Sequence, residues 1–510
     1  MPPFSEISPN VRVPYQYIEM RAKGRNTRER PRNLIIGQKL AEGTANAGQP
    51  YRILSDSDLD LYFGAGSIAQ QMGSVFRRNN PGADLFVIGL ADADGNKASG
   101  AITVANATCT KTRSVALYVA GRLVPFTVVK GDAAAAIADK IVAAIMADKY
   151  CAVTAETDGL DVICTAKHKG TLGNAIDLRF NYLGNAGGEP DLDFGVSLTI
   201  SPLSGGATDP SLELISTWIG DQPYRWIISP YYNSTALDFL ATEMDRRWGA
   251  TVQAYGHAFT AAPYASATAA VSAGSDRNDK HLTLWAFEGA GVSEGSPDPR
   301  PSGTPLGNPC SPWEVASAAS AVVSRSAEIH AARPYCDLAV KGLRATPELD
   351  RWKFADHNAL AYAGCSYLRY SPQGATRIGD VITNYQRNDA GSATDAYLSQ
   401  NIVEQLQEIA TIPAKVADRF PQHILAPDGV RFAPGTPVVT PSILRANTIA
   451  EYRIMAENGI VNDPEAFASL LTCEINGTNK DRADMYLAPD LTGQFKIGAW
   501  LIEFSKGITG

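Results

Sequence analysis

Apolar and polar positions change period several times along this chain, and each change marks an element. Arg32–Gly37 carries the unbroken apolar run Leu34-Ile35-Ile36, the pattern of a short buried strand. Ser55–Phe63 takes helical spacing, with Ser55 or Ser57 as its N-cap. Ser67-Ile68-Ala69-Gln70 has the form of a capping box and opens a second helix that runs to about Asn79. Asn80-Pro81-Gly82 stops it, and Ala83–Leu90 returns to a strand. Strand, helix and strand in that order build a parallel sheet.

After Leu90 the pattern shortens. The turn-rich Ala91–Asn96 is followed by strand patterns at Ala101–Ala105, Ser114–Ala120 and Arg122–Lys130, with Ala120-Gly121 as a hairpin turn. Asp132 is expected to cap an alanine-rich helix reaching about Asp148. Further strands are expected at Ala152–Glu156, Asp161–Ala166, Ala175–Tyr182 and Phe194–Ile200. Flexible, polar ends at Asp92 and Gly206 suit a β-rich module inserted into an α/β domain.

From Pro210 the α/β alternation resumes. Helices are expected at Ser211–Gly220, Ser234–Trp248, Ala265–Ala273, Trp313–Ala332, Ala393–Ala410 and Pro441–Asn458. Strands are expected at Tyr224–Ser229, Thr251–His257 and Lys280–Phe287, and Gly289–Pro312 is a long Gly, Pro and Ser loop.

The two ends stand apart from this. In Gln494–Phe504 one alternating set holds Phe495, Ile497, Ala499, Leu501 and Glu503, and the other holds Lys496, Gly498, Trp500, Ile502 and Phe504. Strand side chains alternate between faces, so both faces are largely apolar and both need cover. Near the start, Val11, Val13, Tyr15 and Tyr17 share one face of a second candidate strand, and Pro14 limits it to an edge. Two readings follow. Either both ends fold back onto their own domain, or they add strands to neighbouring copies.

Composition narrows the class. A chain of 510 residues divides into about two to four domains. It is 45% hydrophobic and 19% charged, ordinary for a globular protein. A net charge of −8 gives no general attraction to nucleic acid or to an anionic membrane. The one basic cluster, Arg21, Lys23, Arg25, Arg28, Arg30 and Arg32, reads as a solvated linker. No stretch reaches the ~20 apolar residues of a membrane span, and Met1–Asn10 lacks the marks of a secretory signal, which places the chain in a cytoplasm. Seven cysteines and six histidines are scattered without metal-ligand spacing, so buried free thiols and no metal site are expected.

Two motifs resemble enzyme chemistry. Gly291-Val292-Ser293-Glu294-Gly295 fits a nucleophile elbow, but the elbow must enter a helix, and Pro297, Pro299 and Pro301 forbid one. Gly64-Ala65-Gly66-Ser67-Ile68-Ala69 fits a dinucleotide fingerprint, which needs a strand before it. The preceding Asp58–Phe63 reads as helix instead. Lys167-His168-Lys169-Gly170 is a possible phosphate contact that a solvated turn explains equally well. The sequence therefore calls for neither catalytic residues nor a cofactor. The alternative function from a different class remains a nucleotide- or substrate-binding α/β enzyme centred on Gly64–Ala69 or Ser293.

Several runs together resemble the Mu-like branch of the contractile-tail sheath family. They are Asp58–Leu90, Gly131–Ala138, Ala166–Arg179, Asp245–Ala261, Pro312-Trp313-Glu314, Ala332–Tyr335, Ile382–Gln386, Gly429–Pro441 and the terminal strand. No single run is diagnostic, but their order and spacing span nearly the whole chain. The resemblance implies an α/β core (mixed or parallel sheet flanked by helices) with an inserted β-rich α+β domain and extended N- and C-terminal strand arms. It divides the chain into an arm and linker (1–31), a first core part (32–91), an inserted outer domain (92–206), a second core part (207–420), a C-terminal core region (421–490) and a C-terminal arm (491–510). The inter-subunit strand residues are then Val11, Val13, Tyr15 and Tyr17 at one end, and Phe495, Ile497, Trp500, Leu501, Ile502 and Phe504 at the other. Arg21, Arg25, Arg28 and Arg30 become the linker. The implied assembly is a homo-oligomer of stacked hexameric rings in a helical sleeve around a phage tail tube protein, with baseplate and tail terminator proteins as further partners. It implies a virion component assembled in the host bacterial cytoplasm, without direct nucleic-acid contact or membrane insertion.

Overall fold

The computed structural model describes residues 30–189, 191–292, 305–394 and 399–504. The chain opens with β1 (Arg32–Gln38), β2 (Pro50–Ile53), α1 (Asp56–Phe63), α2 (Ile68–Asn79) and β3 (Asp84–Leu90). Both caps expected from the sequence form. Ser55 and Asp58 make a reciprocal capping box on α1, and Ser67 accepts from the Gln70 N–H at the start of α2. The Gln70 side chain accepts instead from the Gly66 N–H, one residue before the cap.

The next stretch holds β4 (Lys97–Val104), β5 (Arg113–Val119), β6 (Arg122–Val128), α3 (Ala134–Ala147), β7 (Val153–Asp158), β8 (Asp161–Lys169), β9 (Leu178–Phe180) and β10 (Leu198–Ser204). These strands form two antiparallel sheets, ordered β10–β4–β8–β7 and β6–β5–β9. The β5–β6 hairpin turns at Ala120 and Gly121, with φ of 51° and 73°, the left-handed pair that a two-residue hairpin turn requires. Asp132 does not cap α3. Its carboxylate accepts from the Val129 N–H at 2.7 Å and pairs with Lys140, and Ala133 takes the N-cap position without a side-chain bond.

The remainder comprises α4 (Ile215–Ile219), β11 (Tyr224–Ile228), α5 (Ser234–Trp248), β12 (His257–Tyr264), α6 (Ala267–Ser275), β13 (Leu282–Glu288), α7 (Pro312–Ile329), α8 (Phe354–Tyr362), β14 (Ser366–Tyr370) and β15 (Thr376–Asp380). After them come α9 (Gln400–Ile409), α10 (Ile412–Ala417), α11 (Pro441–Glu457), β16 (Val461–Asn462), α12 (Pro464–Leu470), β17 (Thr472–Ile475), β18 (Ala483–Tyr486) and β19 (Asp490–Leu491). The core sheet has eight strands in the order β15–β14–β13–β12–β11–β1–β3–β2. The six inner strands run parallel, and β2 and β15 close the edges antiparallel. The fold is therefore mixed α/β.

One expected strand lies elsewhere. Thr251 and Val252 lie in a turn, residues 253–256 follow without regular structure with Gln253 at φ 52°, and the strand is His257–Tyr264. Its A-F-T-A-A core is buried on both faces, a pattern without the alternation that marks half-exposed strands. One hydrophobic cluster runs from the core sheet into the strands between residues 97 and 204. A second, around Ile409, Ile412, Tyr452, Met455, Val461 and Phe467, holds α9 to α12 together. Among the described residues no helix is long and apolar enough to cross a membrane.

Candidate functional site

A doubly wound sheet takes its ligand where strand order reverses, beyond the carboxyl ends of the strands. Here β1 is followed by β3 on one side and by β11 on the other, so that point lies between β1 and β11. The chain's own side chains meet there. Gln38, the last residue of β1, donates from Nε2 to Asp92 Oδ1 and to the Lys169 carbonyl, both at 2.8 Å. Asp92 also accepts from the Lys169 N–H at 3.0 Å and contacts His168 Nδ1 at 2.8 Å. Burial pushes the Asp92 carboxyl up, but His168, Lys169 N–H and Gln38 outweigh it and hold the group below its ordinary range.

The fingerprint-like Gly64–Ala69 lies between α1 and α2, not after a strand. Its possible phosphate cradle is the α2 N-terminus, and that position is already used. The Ile68 N–H donates to His168 Nε2 at 3.3 Å, which leaves Nδ1 as the protonated nitrogen facing Asp92. Lys167 Nζ donates to the Ala65 carbonyl at 3.3 Å and the Lys149 carbonyl at 2.7 Å. Lys167, His168 and Lys169 thus fasten the 97–204 region to α2 and β1.

Gly291 and Val292 pair with Leu306 and Pro305, and Ser293 to Gly295 lie outside the described residues. Histidines also serve packing: His257 contacts Thr283 at 2.9 Å, and His281 stacks on Trp248 with centroids 4.1 Å apart. All seven cysteines are free, and burial pushes the Cys164 and Cys365 thiols up to about 12, far from reactive thiolates.

The C-terminal segment behaves differently. Thr492–Phe504 forms no strand with any described residue. Phe495 is 78% exposed, Ile497 87%, Trp500 85%, Leu501 86%, Ile502 84% and Phe504 90%. Side chains of this size normally bury about 1.5–3 kcal/mol each of transfer free energy, and a contiguous patch of them marks an interaction site. A strand needs a partner, and among the described residues none pairs with these. The segment's root is fixed: β19 pairs with β16, and the Tyr452 hydroxyl donates to the Asn462 and Asp490 carbonyls at 2.8 and 3.3 Å. Val11, Val13, Tyr15, Tyr17, Arg21, Arg25 and Arg28 lie outside the described residues, and Arg30 is exposed. Sequence reading missed Asp380, Ser399 and Gln405, which touch the segment from far away in the chain and carry no local signal.

No family model matches the chain. It is 32% identical over 507 residues to the Mu-like prophage FluMu tail sheath protein of Haemophilus influenzae, covering 98% of this chain and 99% of the relative. The sheath tail protein of Desulfitobacterium hafniense aligns with 94% of this chain and 100% of its own at 12% identity and a TM-score of 0.45. The helical sheath of the anti-feeding prophage in its contracted state aligns with 98% of this chain and 100% of its own, at 10% identity and the same TM-score of 0.45. With structural scores below 0.5, the assignment rests on the sequence relative and its full-length coverage. On that ground the chain belongs to the Mu-like tail sheath proteins, a family of structural subunits and not of enzymes.

Proposed function

We propose that this chain polymerises as stacked hexameric rings around an inner tail tube and contracts to drive that tube through a host envelope. The observation that carries the reading is the set of six exposed apolar residues from Phe495 to Phe504, which the other described residues leave uncovered. Strand addition to a neighbour would give both faces a partner and pair their main-chain groups. The β17–β18 hairpin stands as a two-stranded sheet, to which such a strand would add. Val11, Val13, Tyr15 and Tyr17 form the corresponding N-terminal arm. Arg21, Arg25, Arg28 and Arg30 belong to the linker that lets this arm follow its domain. Residues 92–206 form the outer domain, and the core made by 32–91 and 207–420 faces the tube.

The mechanism is mechanical. The extended sleeve is metastable behind a kinetic barrier, a baseplate trigger releases it, and each subunit rotates and slides as a rigid body. New core contacts supply the free energy, while the exchanged strands keep the lattice connected. Partners are the tube, baseplate and terminator proteins, and assembly takes place in the bacterial cytoplasm before the sheath becomes part of the virion. Electron microscopy of the full chain beside a version ending at Thr492 tests this. Hollow tubes from the first and only small particles from the second are expected; small particles from both would end the polymer reading.

A further inference from the structure

The C-terminal arm leaves the core through contacts supplied by its own chain. Gln405 on α9 donates from Nε2 to the Ile460 carbonyl at 2.8 Å and the Thr492 carbonyl at 3.0 Å. Its Oε1 accepts from Gln494 Nε2 at 3.3 Å. Two residues further on, Lys496 Nζ lies 2.7 Å from Asp380 Oδ1 at the end of β15 and 3.1 Å from Ser399 Oγ at the N-cap of α9. Burial follows the same two-residue beat. Thr492, Gln494 and Lys496 are half-buried, while Gly493, Phe495 and Ile497 are exposed. From Ile497 to Phe504 every residue is exposed, so the beat stops at Lys496.

The place of Lys496 depends on one partner. Ser399 opens α9, and the N-terminal end of a helix carries partial positive charge that disfavours an ammonium. Asp380 supplies the opposing charge, and the two side chains are only 19% and 25% exposed. A pair in that setting is screened less than one on the open surface.

We infer that Asp380, Ser399 and Gln405 form a socket that holds Gln494 and Lys496 on the parent subunit, so the donated segment begins at Ile497. What the free segment does rests on the strand-donation reading; the socket is a property of the single chain. The free reach shrinks accordingly. Eleven residues from Gln494 at ~3.3 Å each would span ~36 Å, whereas the eight from Ile497 to Phe504 span ~26 Å. The neighbour's acceptor edge must lie within that shorter distance of Lys496. Asp380, Ser399 and Gln405 are therefore positioning residues: they set where the arm starts through their bonds to Gln494 and Lys496.

Trypsin reads the socket directly, because Lys496 is itself a cleavage residue. The full wild-type chain and Asp380→Asn are digested at high dilution, with cleavage at Lys496–Ile497 normalised to Arg431–Phe432 in the exposed 429–437 loop. Loss of an ion pair worth ~1 kcal/mol corresponds to about a fivefold rise in that ratio. The same direction of change is expected for the wild-type chain on raising salt from low concentration to ~0.5 M. An unchanged ratio in the salt series, which needs no variant to fold, would overturn the socket. So would an unchanged ratio in a folded Asp380→Asn chain. Tubes from the chain ending at Thr492, together with a trypsin response as expected, would discard strand donation and leave the socket standing.

Discussion

At the scale of single residues, the most consequential titratable group is Glu314 on the first turn of α7. It lines a cavity of 630 Å³ shared with Arg78, Arg122 and Arg344. Burial pushes its carboxyl up to about 7, although the Ser311 backbone, Arg122 and Arg78 pull the other way. The folded chain therefore holds this proton more tightly than the unfolded chain between the ordinary glutamate range and about pH 7. The stabilisation is complete at low pH and is lost as pH rises through about 7. Glu314→Gln keeps the group neutral throughout. Its thermal midpoint is expected to match wild type near pH 4.5 and to exceed it at pH 8 by the equivalent of ~1–2 kcal/mol. Equal midpoints at both pH values would show that Glu314 ionises without cost.

At the scale of elements, α9 matters because it carries part of the arm's root. A buried ion network fixes it to the sheet. Arg225 of β11 places Nη2 2.7 Å from Glu404 Oε2 and Nη1 3.0 Å from Glu408 Oε1, while Trp226 Nε1 donates to Glu404 Oε1 at 2.7 Å. The Glu404 side chain is fully buried and that of Arg225 is 14% exposed. Removing Glu404 leaves Arg225 with Glu408 alone and strips Trp226 Nε1 of its acceptor, which costs less than the ~3–5 kcal/mol of breaking an isolated buried pair. Glu404→Ala is expected to lower the free energy of unfolding by ~2–3 kcal/mol in a denaturant titration, and Arg225→Met with Glu404→Leu to recover much of it. A loss below ~1 kcal/mol would mean that water reaches Arg225.

Elements were legible in the sequence where the signal was local. The Ser55 and Ser67 caps, the Ala120-Gly121 turn and the apolar run of β1 each depend on residues within a few positions. β12 was displaced because alanine weakens the strand pattern and burial on both faces removes alternation. The strands β2, β14 and β15 were missed because their identity depends on tertiary pairing: β2 has only four residues, and β14 and β15 close a sheet edge far along the chain. The terminal arm showed the opposite behaviour. Its apolar residues were plain from Gln494 onward, but the point where it separates from the core depends on Asp380, Ser399 and Gln405, which no nearby pattern announces.

At the scale of the whole molecule, the proposed assembly draws on residues that folding leaves exposed. Trp500 is 85% exposed in the single chain, so Trp500→Asp should leave monomer stability within ~0.5 kcal/mol of wild type. If the segment is donated as proposed, the same change places a charge in the middle of that strand and is expected to abolish tubes under the microscope. Tubes of normal length from Trp500→Asp would remove that residue from the interface. The uncovered Ala-Trp-Leu-Ile run at 499–502 also has a consequence for the chain before any sleeve exists. Short β-prone apolar windows aggregate unless flanking charges act as gatekeepers. The flanking charges here are Lys496 and Glu503. With Lys496 engaged by Asp380, one of those two guards is already committed, so in the proposed assembly solubility of the free subunit depends on keeping copies dilute until ordered growth consumes them.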